Sequence, residues 1–173
     1  HESEGIRFYT LYSHLNTIAE QVEAGVSVEQ GAVLGVIGST AGGYVIPQSR
    51  AHLHFEMGLQ LDADFAWWYD QKGFGSKNQH GAWNGMNLVG WDPLRYYRLA
   101  LDGEISGPRD FLRSEPVAVR VRVAYRGVPD LARRSPGMVE DLVSGSPGGW
   151  EIDFSRFGVP LQLRRVAADR FPE

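Results

Sequence analysis

Residues 50–56 read RAHLHFE, so two of the chain's five histidines, His52 and His54, stand two apart with Leu53 between them and Phe55 after. In an extended strand, residues two apart point to the same side. His52 and His54 are then expected to line one groove while Leu53 and Phe55 pack the opposite face. Imidazole ligates metals and exchanges protons near neutral pH, so the candidate chemistry is metal-assisted or general acid–base. The plain alternative is a pair of exposed or hydrogen-bonded histidines with no chemistry. A third histidine, His14, closes the run YTLYSHL, on what is expected to be a neighbouring strand. The chain has no cysteine, which leaves His, Asp and Glu as its strong metal ligands. Glu56, one strand step beyond His54, is expected to point the same way, either orienting a histidine or standing as a surface carboxylate.

The elements that must position these side chains are β-rich. From Ile6 to Glu56 the runs IRFYTLYSHL, GVSVEQG, AVLGVIGST and HLHFEMG are dominated by Val, Ile, Tyr, Phe and Thr and punctuated by glycine. They predict strands and turns with no sustained helical period. Residues 61–90 are aromatic and glycine-rich, with Trp67, Trp68 and Trp83, and predict a long ordered insertion. Trp67, Trp68, Tyr69, Phe74 and Trp83 are expected mainly to form a small satellite core, with one or two of them touching substrate. WDPLRYYRLAL predicts a turn and a helix. PVAVRVRVAY predicts a half-buried strand with Val117, Val119, Val121, Val123 and Tyr125 on one face and Arg120 and Arg122 on the other. A short helix is expected near 138–143 and a turn at 144–149, while Arg133 and Arg134 read as a solvated loop.

YTLYSHL, then VEAGVSVEQGAVLGVIGSTAG, then AHLHFEMG resembles the C-terminal half of the lysostaphin/LytM-type zinc metalloendopeptidases in order, spacing and glycine-rich hairpin. WDPLRYY is similar to the Asp/Asn-Pro turn that closes that domain. The resemblance covers the first third of the chain and implies a mostly β fold: an antiparallel sandwich or barrel-like sheet of the duplicated hybrid motif type, here with a C-terminal α+β extension. The implied division is 1–60 for the half-domain, 61–97 for the insertion and closing turn, and 98–173 for the extension.

The resemblance implies zinc (Zn2+) as cofactor, with His54 as a ligand and His14 and His52 as catalytic residues beside the metal-bound water and the scissile carbonyl. It also implies peptidoglycan peptides as substrate. The family's remaining zinc ligands come from an H-x-x-x-D motif upstream of the Y-x-H-L segment, and no such motif precedes His14 here. His1 lies too close to that segment to serve. His80 with Asp62, Asp64 or Asp70 is a remote substitute. The chain also opens in text that belongs to the middle of a sheet. The expectation is therefore an upstream half of the domain, in the same polypeptide or a separate fragment.

Two alternatives stand beside the peptidase. One is a metal-free LytM-like module that binds or activates cell-wall hydrolases, which the missing motif suits equally well. The other is a carrier domain, because AGVSVEQGAVLGVIGS also resembles the hairpin of lipoyl- and biotin-carrying domains and of sugar-permease phosphocarriers. A carrier needs an exposed lysine at a hairpin tip, and the only lysines, Lys72 and Lys77, lie in the insertion. The net charge of −4 removes the basic footprint of a general nucleic-acid binder, so no nucleic-acid partner is expected. No apolar run approaches the length of a transmembrane segment. The resemblance implies export, to the periplasm or the outer surface of a bacterial cell.

Overall fold

In the computed structural model, residues 1–140 and 147–171 are described. In chain order the strands and helices are β1 (Glu2–Ser3), β2 (Ile6–Arg7), β3 (Tyr9–Ser13), β4 (Leu15–Ile18), β5 (Gly35–Ile37), β6 (His54–Gln60), α1 (Phe65–Lys72), β7 (Leu88–Trp91), α2 (Pro93–Leu101), α3 (Pro108–Ser114), β8 (Val119–Val123), α4 (Asp130–Arg134), β9 (Val139–Glu140), β10 (Pro147–Phe154) and β11 (Pro160–Ala167). Strand exceeds helix, the sheets are mainly antiparallel, and no closed barrel forms among the described residues, so the mostly β expectation is met. The chain folds into two compact units, one of Thr10–Glu56 and one of His1–Tyr9 with Met57–Glu173.

The larger unit owns a conventional core. Ile6, Met57, Leu59, Phe111, Leu112 and Leu163 are buried almost completely. Met57–Gln60 of β6 pairs antiparallel with β7, Met57 opposite Trp91 and Gln60 opposite Leu88. Gly58 sits in this ladder because nothing larger fits: an added Cβ would overlap the Val89 carbonyl oxygen and lie 2.8 Å from the Gly90 Cα. Gly58→Ala is expected to cost about 1–3 kcal/mol by overpacking, read as a lowered urea midpoint with unchanged slope.

Helix α2 starts where WDP predicts. The Asp92 carboxylate accepts from the Leu94 and Arg95 amides while Pro93 occupies the first turn, where its missing N–H costs nothing. The insertion contains α1, whose buried Phe65 and Tyr69 make tilted ring contacts with the partly exposed Trp68 and Phe74, so only part of the expected satellite core forms. Trp67 and Trp83 remain largely exposed.

Several local expectations are corrected. GVSVEQG forms no strand, since a short valine run without a partner strand has no ladder to join. Strand β8 lies at the edge of the sheet ordered β8-β10-β11-β9, and its residues are exposed on both faces, with Val119 at 54% and Val121 at 38%. Alternation identified its two faces but not whether either would be covered. Arg134 is no solvated loop residue: its Nε donates to Asp130 and its Nη2 to the Gln60 carbonyl at 2.8 Å. Residues 136–140 form a 3-10 turn and β9 instead of a helix, and 141–143 lie outside the described residues. Of the turn expected at 144–149, residues 144–146 lie outside the described residues and 147–149 open β10.

The smaller unit is built differently. Strands β3 and β6 are neighbours, and β4 pairs antiparallel with β5, Leu15 opposite Ile37 and Ile18 opposite Gly35. Tyr12 and Phe55 pack ring to ring at 5.1 Å. Yet no residue from Thr10 to Glu56 is buried. Ile18, Val33, Val36, Ile37, Tyr44 and Val45 all stand more than half exposed.

Candidate active site

His14, His52 and His54 lie together in the smaller unit. The His14 ring centroid is 4.8 Å from that of His52 and 5.8 Å from that of His54. The sequence expectation that the three converge is met in position, although by different means from those foreseen. His54 opens β6, but His52 precedes the strand, because the 3-10 turn Gln48–Arg50 holds the chain out of the ladder until residue 54. The pair is therefore not a simple same-face strand pair.

His14 sits between β3 and β4 with φ of 63°, a left-handed conformation uncommon for a residue with a Cβ. That local turn is held by two hydrogen bonds. The Thr40 carbonyl lies 2.6 Å from His14 Nδ1, and the Thr40 hydroxyl donates to the Leu15 carbonyl at 2.9 Å. Glycine makes the approach possible: a Cβ on Gly38 would fall 2.7 Å from the Asn16 Cβ. Non-glycine residues in such conformations concentrate at functional sites.

The hydrogen bonds assign the ring nitrogens, because a carbonyl oxygen can only accept. His14 Nδ1 must carry the proton given to Thr40, and His52 Nδ1 the proton given to the Arg50 carbonyl at 2.8 Å. In their neutral forms both therefore keep an unprotonated Nε2. His54 is the reverse. Its Nε2 lies 3.0 Å from a Glu56 carboxylate oxygen, so Nε2 carries the proton and Nδ1 keeps the lone pair. A carboxylate behind a histidine fixes its tautomer and ring orientation, the arrangement typical of histidines that bind metals. Glu56 thus touches His54, as one of its two expected readings requires.

Among the described residues, no group of three or more His, Cys, Asp or Glu is arranged to hold a metal ion. His54 offers one donor nitrogen, which fits a single position of a zinc site and does not complete one. The substitute set of His80 with Asp62, Asp64 or Asp70 is not assembled either. Asp62 instead caps its own turn, accepting from the Asp64 amide at 2.8 Å.

Residues 2–63 match the sequence model of peptidase family M23. The lysostaphin/LytM-type resemblance stands on this segment. No curated protein and no solved structure matches the chain. The M23 segment contains all three histidines and Glu56, together with both carbonyl groups that fix the ring tautomers. Those carbonyls, from Arg50 and Thr40, are the functional groups that sequence reasoning missed. Every residue carries a carbonyl, so residue type held no signal for either; the close-packed glycines Gly35 and Gly38 were the only available hint.

Proposed function

We propose that the chain carries the catalytic half-site of a zinc-dependent endopeptidase that hydrolyses peptide cross-links of bacterial peptidoglycan. The observation that carries this is the opposed tautomer pattern: one imidazole with a free Nδ1 backed by a carboxylate, beside two with free Nε2 atoms.

In this reading His54 Nδ1 is the chain's own zinc donor and Glu56 holds the ring for it. Zinc, when bound, lowers the pKa of a bound water towards about 7 and polarises a carbonyl. His14 or His52 accepts a proton from the attacking water at Nε2. The imidazolium then returns that proton to the leaving amine as the C–N bond breaks. The Thr40 and Arg50 carbonyls hold both rings in place by accepting from Nδ1 throughout.

The other zinc donors belong, in this proposal, to the upstream half of the M23 domain. The exposed Ile18, Val33, Val36 and Ile37 support such a covering layer, because a unit with no buried residue lacks a core of its own. A peptidoglycan substrate places the protein outside the cytoplasm, in the periplasm or at the cell surface. Among the described residues, no helix is long and apolar enough to cross a membrane.

The test is incubation of the intact natural protein with purified cross-linked wall peptides, followed by mass spectrometry. Expected are new amine and carboxyl ends, lost on chelation and restored by zinc. Glu56→Gln is expected to weaken zinc binding about 10–100-fold. A zinc-loaded protein that leaves every cross-link intact would refute the peptidase. That outcome would favour the metal-free activator.

A further inference from the structure

In the larger unit, Arg7, Tyr9, Gln60, Trp83 and Arg134 line an open cavity of about 310 Å³. Two features of its lining point to a ligand. The first is a pair of guanidinium groups, each anchored at one end. Arg7 Nε donates to Glu2 at 3.1 Å, and no acceptor among the described residues bonds its Nη1 or Nη2. Arg134, whose side chain is only 17% exposed, spends Nε on Asp130 and Nη2 on the Gln60 carbonyl, leaving Nη1. Anchored guanidiniums keep their remaining N–H groups in a fixed fork that suits a carboxylate.

The second feature is an aromatic platform. Trp83 is 60% exposed, although its neighbourhood is well ordered by hydrogen bonds among Asn78, Gly81 and Asn84. Tyr9 supports it edge-on, with ring centroids 6.3 Å apart at 81°. A supported indole with an open face is suited to stack on a ring. The Gln60 amide donates to the Ala82 carbonyl at 3.1 Å, which fixes that side chain with its own oxygen available as an acceptor.

We propose that this cavity binds a carboxylated sugar, with the ring against Trp83 and the carboxylate between Arg7 and Arg134. The source of such a sugar, a wall glycan unit whose carboxyl carries no stem peptide, rests on the peptidoglycan reading; the binding itself does not.

The test is calorimetric titration of the intact protein with N-acetylmuramic acid, its methyl ester and N-acetylglucosamine. The acid is expected to bind at least tenfold more tightly than either neutral sugar. Arg7→Gln is expected to abolish that preference, and Trp83→Ala to weaken all three sugars together. Arg7 is chosen because its side chain is 57% exposed, so its loss spares the fold, which an unchanged melting temperature would verify. Equal binding of acid and ester, or an undiminished preference in Arg7→Gln, would overturn the proposal. Either result alongside continued cleavage of wall peptides would sink the sugar site and leave the peptidase standing. Tight acid binding without any cleavage would do the opposite.

Discussion

Replacing His54 with alanine is expected to remove bound zinc and hydrolysis together, whereas His14→Ala and His52→Ala are expected to keep the metal and lose turnover. The distinction follows from which nitrogen each ring leaves open. His54 turns its Nε2–H to Glu56 at 3.0 Å, which leaves the Nδ1 lone pair open for the proposed zinc. His14 and His52 give their Nδ1–H atoms to backbone carbonyls, which leaves Nε2 open for the proposed proton transfer. A positioned general acid or base contributes typically about 10²–10⁴-fold, so each of those two variants should fall by that order in kcat. Their zinc content should stay at the wild-type value. If His14→Ala and His52→Ala both turned over at the wild-type rate, the proton-transfer roles would be wrong even with His54 correctly assigned.

The second large effect concerns stability, in the larger unit. Asp153 is 3% exposed at its side chain and accepts from Arg120 at 2.6 and 3.0 Å and from Arg164 at 2.6 Å. Arg122 pairs with Glu151, and Arg164 also reaches Glu140, each at 2.8 Å, so one face of the sheet carries a closed ion-pair network. Removing one partner of a buried pair strands the other. Arg120 is half exposed and loses little, since solvent screens it. Arg164, 18% exposed, keeps Glu140 but loses the partner of its Nη1 and bears the cost. Asp153→Ala is expected to destabilise by about 3 kcal/mol.

The hydrogen bonds from Arg120, with further help from Arg164, hold the Asp153 carboxyl below the usual carboxylate range against the opposing effect of burial. A carboxyl whose folded pKa is depressed stabilises fully above its unfolded value, about 3.9. That contribution disappears as pH falls through the lower folded value. Urea midpoints should therefore decline on acidification below about pH 4, and decline less in Asp153→Asn. An Asp153→Asn protein with the wild-type acid slope would show that Asp153 does not carry it.

The histidine constellation was legible because its side chains are its chemistry: H-x-H and the Y-S-H-L ending announce themselves in residue type and spacing. The Asp92-Pro93 helix start was legible for the same reason, since the cap is a side chain and the first-turn residue a proline. What sets the site's proton arrangement was not. Thr40 and Arg50 act through carbonyls, and a carbonyl reaches His14 only because Gly35 and Gly38 let two chain segments approach closely. Those glycines read in the sequence as turn punctuation. His52 departs from the expected strand because a 3-10 turn just before it delays pairing, a competition that alternation cannot resolve. The valines of β8 show the same limit from the other side. Val119, Val121 and Val123 alternate faultlessly with arginine, yet burial depends on a covering layer that periodicity does not encode.

Zinc content of the intact natural protein, measured by elemental analysis in wild type and in His54→Ala prepared identically, tests the central assignment most directly. One zinc per wild-type chain and none in the variant is the predicted result. Equal zinc in both, or cleavage of wall cross-links by rigorously metal-free wild type, would contradict it.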